Sequence, residues 1–439
     1  MTVPRPPAAD PLTAFTEDEV RACVGYAKPR QRWGLVGYGT DLVVLAALAL
    51  SGPGQALVRG VAGLAGGWAP GRVALATVAV LVIRAGVGLP FSLRAYRQDA
   101  RAGLATQGVD GFLRDWAKGR AVALVLTVLP VTALVLGARW EPPGWPLVAA
   151  VAAVLLVLAL AMAGPVVIEP LFNRFRPLGP GPLRARLLTL AATMAVPVGD
   201  VLVADASRRT TRVNAYVSGL GRTRRVVIYD TLLAAAGPEG SGGPPGWSPG
   251  GPGGSGGPPG WSPGGPGGSG GPPGWSPGGS ENPVGASSGA DEVTLVVAHE
   301  LAHVRHRDVL WGTVGAAALA AVSVLAAVAL FDLGPVQRGL GVNGLGDPLA
   351  AAGLLLLATA GGLLAAPVAS AISRWAEARA DWVSREVTRD PVTAVAVERR
   401  LALENRADLR PNRLLMLMFA SHPSTMARIA QAWHWAERH

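Results

Sequence analysis

In VVAHELAHVRHR, residues Val296 to Arg307, two histidines stand four residues apart around a glutamate. On a helix turning about 100° per residue, His299 and His303 share one face, one turn apart, so both imidazoles reach a single ion. Glu300 lies beside them, placed to hold a water on that ion. This is the H-E-x-x-H arrangement that zinc chemistry on peptide bonds uses.

A catalytic zinc ion takes three protein ligands and keeps one position open. His306 falls on the same face, but helix rise sets it about 10 Å along the axis from His299, too far to share an ion bound at about 2 Å. It reads as a solvated or supporting residue. The further histidine after a glycine that another class of zinc peptidase carries in this motif is absent. The third ligand therefore comes from another helix. SRWAEARADWVS offers Glu377, with Asp381 four residues on and facing the same way. Alone, this stretch reads as a surface helix with charge pairs among Arg374, Glu377, Arg379 and Asp381. Beside the histidine motif it supplies a ligating glutamate and an aspartate that accepts an N–H from a ligand histidine.

The elements that must carry these residues are largely apolar. Half of the 439 residues are hydrophobic and 15% are charged, too few charges for a soluble protein of this size. Trp145 to Ile168, Val309 to Phe331, Pro348 to Ser373 and Ala121 to Ala138 carry no charge, Val73 to Leu93 carries only Arg84, and Trp33 to Ser51 contains Asp41. Each approaches the 20 or so apolar residues that a helix needs to cross a bilayer, so six spans are expected. Ala56 to Gly66 is a seventh, re-entrant or short, element. The net charge of +10 is nearly all arginine and clusters before the first span and after every second one. That is the positive-inside pattern, which puts both termini and the catalytic segment in the cytoplasm and argues against nucleic acid. The fold expected is a multi-pass α-helical membrane protein with an α+β zinc metallopeptidase domain. It is a cell-membrane protein if the source is bacterial. The first 30 residues show no apolar signal-peptide region. Cys23 is the sole cysteine, so no disulfide forms within the chain.

The chain divides into an N-terminal segment (1–32), a four-span membrane part (33–168), an α+β catalytic part (169–240), a linker (241–290), the H-E-x-x-H helix running into the fifth span (291–308), two spans (309–373) and C-terminal catalytic helices (374–439). The α+β part should hold a helix over Pro182 to Met194 and a small antiparallel sheet from Val201 to Asp205, Arg212 to Gly219 and Arg224 to Asp230. Residues Ser241 to Ser280 repeat SGGPPGWSPGGPGG, which reads as a flexible linker, with Trp247, Trp261 and Trp275 available to graze a membrane or a partner.

The sequence resembles the type I CAAX prenyl proteases, membrane-embedded gluzincins, with HtpX-type proteases as more distant relatives. The resemblance rests on GLPFSLRAYR (Gly88 to Arg97), GFLRDWAKG (Gly111 to Gly119), IEPLFNRFRPL (Ile168 to Leu178), NAYVSGLGRTRRVVIYDTLL (Asn214 to Leu233), AHELAHVRHRDV, EARAD and SHPSTMARI (Ser421 to Ile429), in the family's order. It implies one Zn²⁺ per chain on His299, His303 and Glu377, with Glu300 as general base and acid. It also implies that Asn214 and His422 lie over the cleft, binding the substrate backbone and the developing oxyanion. Eukaryotic members have one more N-terminal span. The expected partners are a peptide or protein substrate, lipidated or not, and membrane lipids. Two alternatives are a membrane quality-control protease of HtpX type and a non-catalytic membrane scaffold of the same fold.

Overall fold

The computed structural model describes residues 10–141, 143–219, 224–237 and 288–439. The Gly/Pro/Trp repeat lies outside them. Among the described residues, six helices are long and apolar enough to cross a membrane. They include α1 (Glu17–Leu50), α3 (Ala69–Arg101), α4 (Val109–Trp140) and α5 (Trp145–Ala163). A π-helical turn, Gly164–Ile168, extends α5 into α6 (Glu169–Phe172). The expected seventh element is α2 (Gly52–Gly63), a 12-residue helix that turns the chain between α1 and α3 and is too short to span.

Both charges that interrupt the apolar runs are accounted for. Arg84 of α3 grips Asp41 of α1 through two bonds of 2.9 and 2.6 Å. A fork-on-fork pair of this kind is how charges persist at membrane depth, each neutralising the other.

The catalytic part packs α7 (Pro182–Thr193), α8 (Asp230–Ala235) and α9 (Gly289–Arg305) around a four-stranded sheet. Its strands are β1 (Phe175–Pro177), β2 (Asp200–Ala204), β3 (Ala215–Ser218) and β4 (Arg225–Tyr229), in the order β1-β2-β4-β3. The sheet is mixed and not purely antiparallel as expected. β4 inserts between β2 and β3, pairing parallel with β2 and antiparallel with β3. The short β1 adds antiparallel to β2. β3 is thereby left at the edge.

Ser288 caps α9 by accepting the Asp291 N–H, and Asp291 and Glu292 complement the helix dipole in its first turn. Val293, Val297 and Leu301 recur every four residues and are fully buried against the sheet. Burial of each stabilises by about 1.5–3 kcal/mol, which fixes the rotation of α9, turns His299 and His303 away from the sheet and leaves Glu300 on the flank between.

The expected continuous helix into the fifth span is broken. α9 ends at Arg305, Arg307 adopts a left-handed conformation (φ 58°, ψ 34°), and α10 (Asp308–Phe331) starts in a new direction. After α11 (Gly334–Leu340), the last span and the Glu377 segment form one helix, α12 (Ala350–Thr388), so the boundary expected at residue 374 falls inside it. At 1.5 Å per residue its 39 residues reach about 58 Å, roughly twice the hydrocarbon thickness. The excess carries Glu377 and Asp381 against α9. α13 (Pro391–Glu404), α14 (Arg413–Phe419) and α15 (Thr425–Ala436) complete the catalytic part.

Candidate metal centre

α9 and α12 lie side by side and bring His299, His303 and Glu377 together. His299 Nε2 is 3.2 Å from His303 Nε2 and 3.2 Å from Glu377 Oε2, and His303 Nε2 is 3.4 Å from Glu377 Oε1. Two ring nitrogens and a carboxylate facing one point are a metal-ligand set. An ion bound tetrahedrally at about 2.0–2.1 Å holds neighbouring ligand atoms about 3.3 Å apart, the scale of these spacings, with Glu377 meeting each histidine through a different oxygen. The donor chemistry, two imidazoles and one carboxylate, suits zinc.

Each imidazole is backed by a carboxylate on its other nitrogen. His299 Nδ1 lies 2.9 Å from Asp381 Oδ1, a close approach too bent for a regular hydrogen bond, which leaves Nδ1 without one. His303 Nδ1 lies 2.9 Å from Asp308 Oδ2. Both carboxylates are held by arginines in turn. Arg428 of α15 clasps Asp381 through bonds of 2.8 and 2.5 Å and also meets Glu398 at 3.0 Å, while Arg379 pairs with Asp308. Carboxylate contacts of this kind fix a ligating ring's tautomer and orientation.

Asp381 was legible as a partner of the histidines; Asp308, Arg428 and Glu398 were not. On an unbroken helix Asp308 would point about 140° away from His303. Only the left-handed turn at Arg307 brings it back. Arg428 and Glu398 come from helices whose packing on α12 nothing in the sequence announces.

A cleft of about 350 Å³ opens beside the ligands, lined among others by Asn214, Glu300, His422 and Arg428. The Glu300 carboxylate makes no hydrogen bond or ion pair among the described residues, and burial raises its pKa against the lowering pull of His299 and His303. His422, half-exposed, places Nδ1 3.0 Å from Glu377 Oε2. Asn214 accepts the Ala215 N–H at 2.9 Å and sits at the start of the edge strand β3. His306 stands apart from the ligand group, with Nε2 buried and unpartnered. Burial disfavours a charged His299, but the attraction of Asp381 and then Glu377 outweighs it and raises its pKa to about 9.

Known proteins resemble this chain in both its membrane and its catalytic part. Residues 179–436 match the model of peptidase family M48, and residues 5–174 match that of the CAAX prenyl protease N-terminal region with five membrane helices. The chain is 24% identical to the uncharacterized metalloprotease YhfN of Bacillus subtilis over 97% of its length and 88% of the relative's. It is 36% identical to a CAAX prenyl protease 1 homolog of Arabidopsis thaliana over 33% of the chain and 34% of that relative. The S. mikatae Ste24p structure shares the fold, with a TM-score of 0.66 at 17% identity, covering 95% of this chain and 89% of the other. An M48 match across more than half of the chain, joined to a CAAX-protease membrane region, makes the protein a multi-pass integral membrane member of peptidase family M48.

Proposed function

We propose that the protein is a zinc-dependent endopeptidase, with one Zn²⁺ held by His299, His303 and Glu377. The carrying observation is that two imidazole nitrogens and a carboxylate within 3.2–3.4 Å of one another stand beside the unpaired Glu300 carboxylate in a cleft. Zinc bound there would supply Lewis acidity for the scissile carbonyl and acidify the attacking water.

The chain's own groups do the rest. Glu300 takes the proton from the attacking water and returns it to the leaving amine, a task that the raised pKa of its carboxyl favours. His422 has Nδ1 engaged by Glu377, which leaves Nε2 to face the developing oxyanion. Asn214 spends its carbonyl oxygen on the Ala215 N–H, and its amide remains to donate to a substrate carbonyl. Edge strand β3 begins at the cleft, so an extended peptide adds to it by main-chain hydrogen bonds. Asp381 and Asp308 orient the ligand rings.

The names of the relatives, CAAX prenyl protease 1 homologs, favour a lipidated peptide as substrate. Arginine clustering favours a cytoplasmic catalytic part.

Glu300→Gln is the test: metal analysis should still find one zinc per chain while cleavage falls by about 10²–10⁴-fold, the usual worth of general acid–base catalysis. Cleavage at the wild-type rate would refute the mechanism. Farnesylated and unlipidated versions of one peptide, offered together, test the substrate class; equal rates would remove the lipid from the proposal.

A further inference from the structure

We propose that a cavity on the catalytic side of the membrane domain, separate from the cleft, binds the phosphate-bearing headgroup of an anionic phospholipid. The cavity, about 510 Å³, lies between the start of α4 and the exit of α6, and is closed by the segment that follows β2. Arg114, Lys118, Arg174, Arg208 and Arg209 line it, against two carboxylates, Asp110 and Asp115. With Asp205, which meets Arg208 at 3.4 Å from outside the lining, five cations face three acids, an excess of two positive charges.

The internal pairs do not use up the cations. Arg209 holds Asp115 at 2.9 Å, but Lys118 is 3.9 Å from the same carboxylate and 57% exposed. Arg114 pairs with Asp110 while 72% exposed. The Arg174 guanidinium is exposed and has no ion-pair partner among the described residues. The start of α4 borders the same space, but its first-turn amides are already engaged by the Asp110 carboxylate, so the basic side chains supply the attraction.

Depth selects a lipid over a soluble anion. The uncharged run of α4 starts at Ala121, so Lys118 and Arg114 lie about 4.5 and 10 Å along the axis beyond it. Arg174 follows the last apolar turn of α6 by two residues. A headgroup layer is about 5–8 Å thick per leaflet, which sets Lys118 at the level of the lipid phosphates and Arg114 at its outer margin. Leu171, 50% exposed, and Phe172 give the cavity an apolar wall for acyl chains. Basic pockets between membrane helices hold acidic headgroups in this way. A headgroup there would tie α4 to the Arg208–Arg209 segment of the catalytic part.

The test is native mass spectrometry of the full chain with equal phosphatidylglycerol and phosphatidylcholine. The expected result is preferential retention of phosphatidylglycerol, weakened about fivefold by each of Arg114→Gln, Lys118→Gln and Arg174→Gln. A control losing three charges elsewhere (Arg21→Gln, Arg32→Gln and Arg413→Gln) should retain the lipid. Equal loss in the control, or unchanged retention when Arg114→Gln, Lys118→Gln and Arg174→Gln are combined in one chain, would overturn the site. Displacement of the lipid by millimolar inorganic phosphate would overturn the lipid assignment in favour of a free-phosphate site. None of these variants touches the metal cradle, so a failed lipid test leaves the peptidase reading standing.

Discussion

His299 and His303 have the same kind of support, a carboxylate at Nδ1 backed by an arginine, yet the two supports are built differently. The Asp381 side chain is 3% exposed and sits in a buried network with Arg428, Glu398 and Arg385 drawn from three helices. The Asp308 side chain is 16% exposed, and its arginine, Arg379, also stacks on the exposed Trp375. One brace is part of the core. The other is made at a helix junction near the surface, so stability and metal binding should be joined at the first and separable at the second.

The largest effect is expected at Asp381. Asp381→Ala would strip Arg385 of its carboxylate and leave buried Arg428 with Glu398 alone, and breaking comparable buried pairs costs about 3–5 kcal/mol. Metal affinity should fall by about 10–100-fold as well. Thermal unfolding and zinc titration of the same preparation check both. Asp381→Asn keeps the volume and one acceptor, so it should fold while still losing metal affinity. An Asn variant with unchanged zinc affinity would show that Asp381 merely fills space.

Asp308→Ala should lower zinc affinity by about tenfold while changing stability by only about 1 kcal/mol, the scale of a partly exposed pair. If it unfolds the protein as Asp381→Ala does, the distinction between the two braces is lost.

This contrast also separates what the sequence discloses from what it hides. Residues four apart on one helix, His299 with His303 and Glu377 with Asp381, share a face whatever the tertiary structure, though the packing of α12 on α9 is what joins the two pairs. The spans are equally local, because length and apolarity decide them. Arg84 and Asp41 look like blemishes in two separate runs, and only the packing of α3 on α1 makes them one pair. Asp308 is hidden for the opposite reason, since a local rule, helix continuity, points the wrong way across Arg307. The mixed sheet belongs with these cases. Short β-like runs disclose β2, β3 and β4, but the three residues of β1 make no such run, and which strand sits between the others depends on how the helices cover the sheet.

Protons probe the buried brace in particular. In metal-free protein the His299 pKa stands at about 9, above its ordinary 6.5, so near neutral pH the ring is charged and a metal must displace that proton. Apparent zinc affinity should therefore rise about tenfold per pH unit up to about pH 9. The stability of the metal-free protein has the opposite sign. A raised folded-state pKa contributes fully below pH 6.5 and is lost as pH climbs through about 9. Chelator-treated protein should melt at progressively lower temperature over that window. Asp381→Asn, by removing the leading attraction, should flatten both slopes, and unchanged slopes would place the proton elsewhere.

The smallest effect tests the junction that makes the exposed brace possible. Arg307 holds φ 58° and ψ 34° without being glycine, a conformation that costs an L-residue about 1–2 kcal/mol. Arg307→Gly removes that cost but adds about 0.5–1 kcal/mol of unfolded-chain entropy, so the two nearly cancel. Stability should move by less than about 1 kcal/mol and zinc affinity should stay put, because Asp308 still turns back to His303. Arg307→Val sharpens the point. A β-branched residue resists the left-handed region, at a cost of about 1–3 kcal/mol, and relieving it means running α9 straight into α10. Asp308 would then swing off His303, and zinc affinity should fall to that of Asp308→Ala. Zinc titrations of the three variants decide it: if the valine variant binds metal as the glycine variant does, the bend is not what holds the second histidine in place.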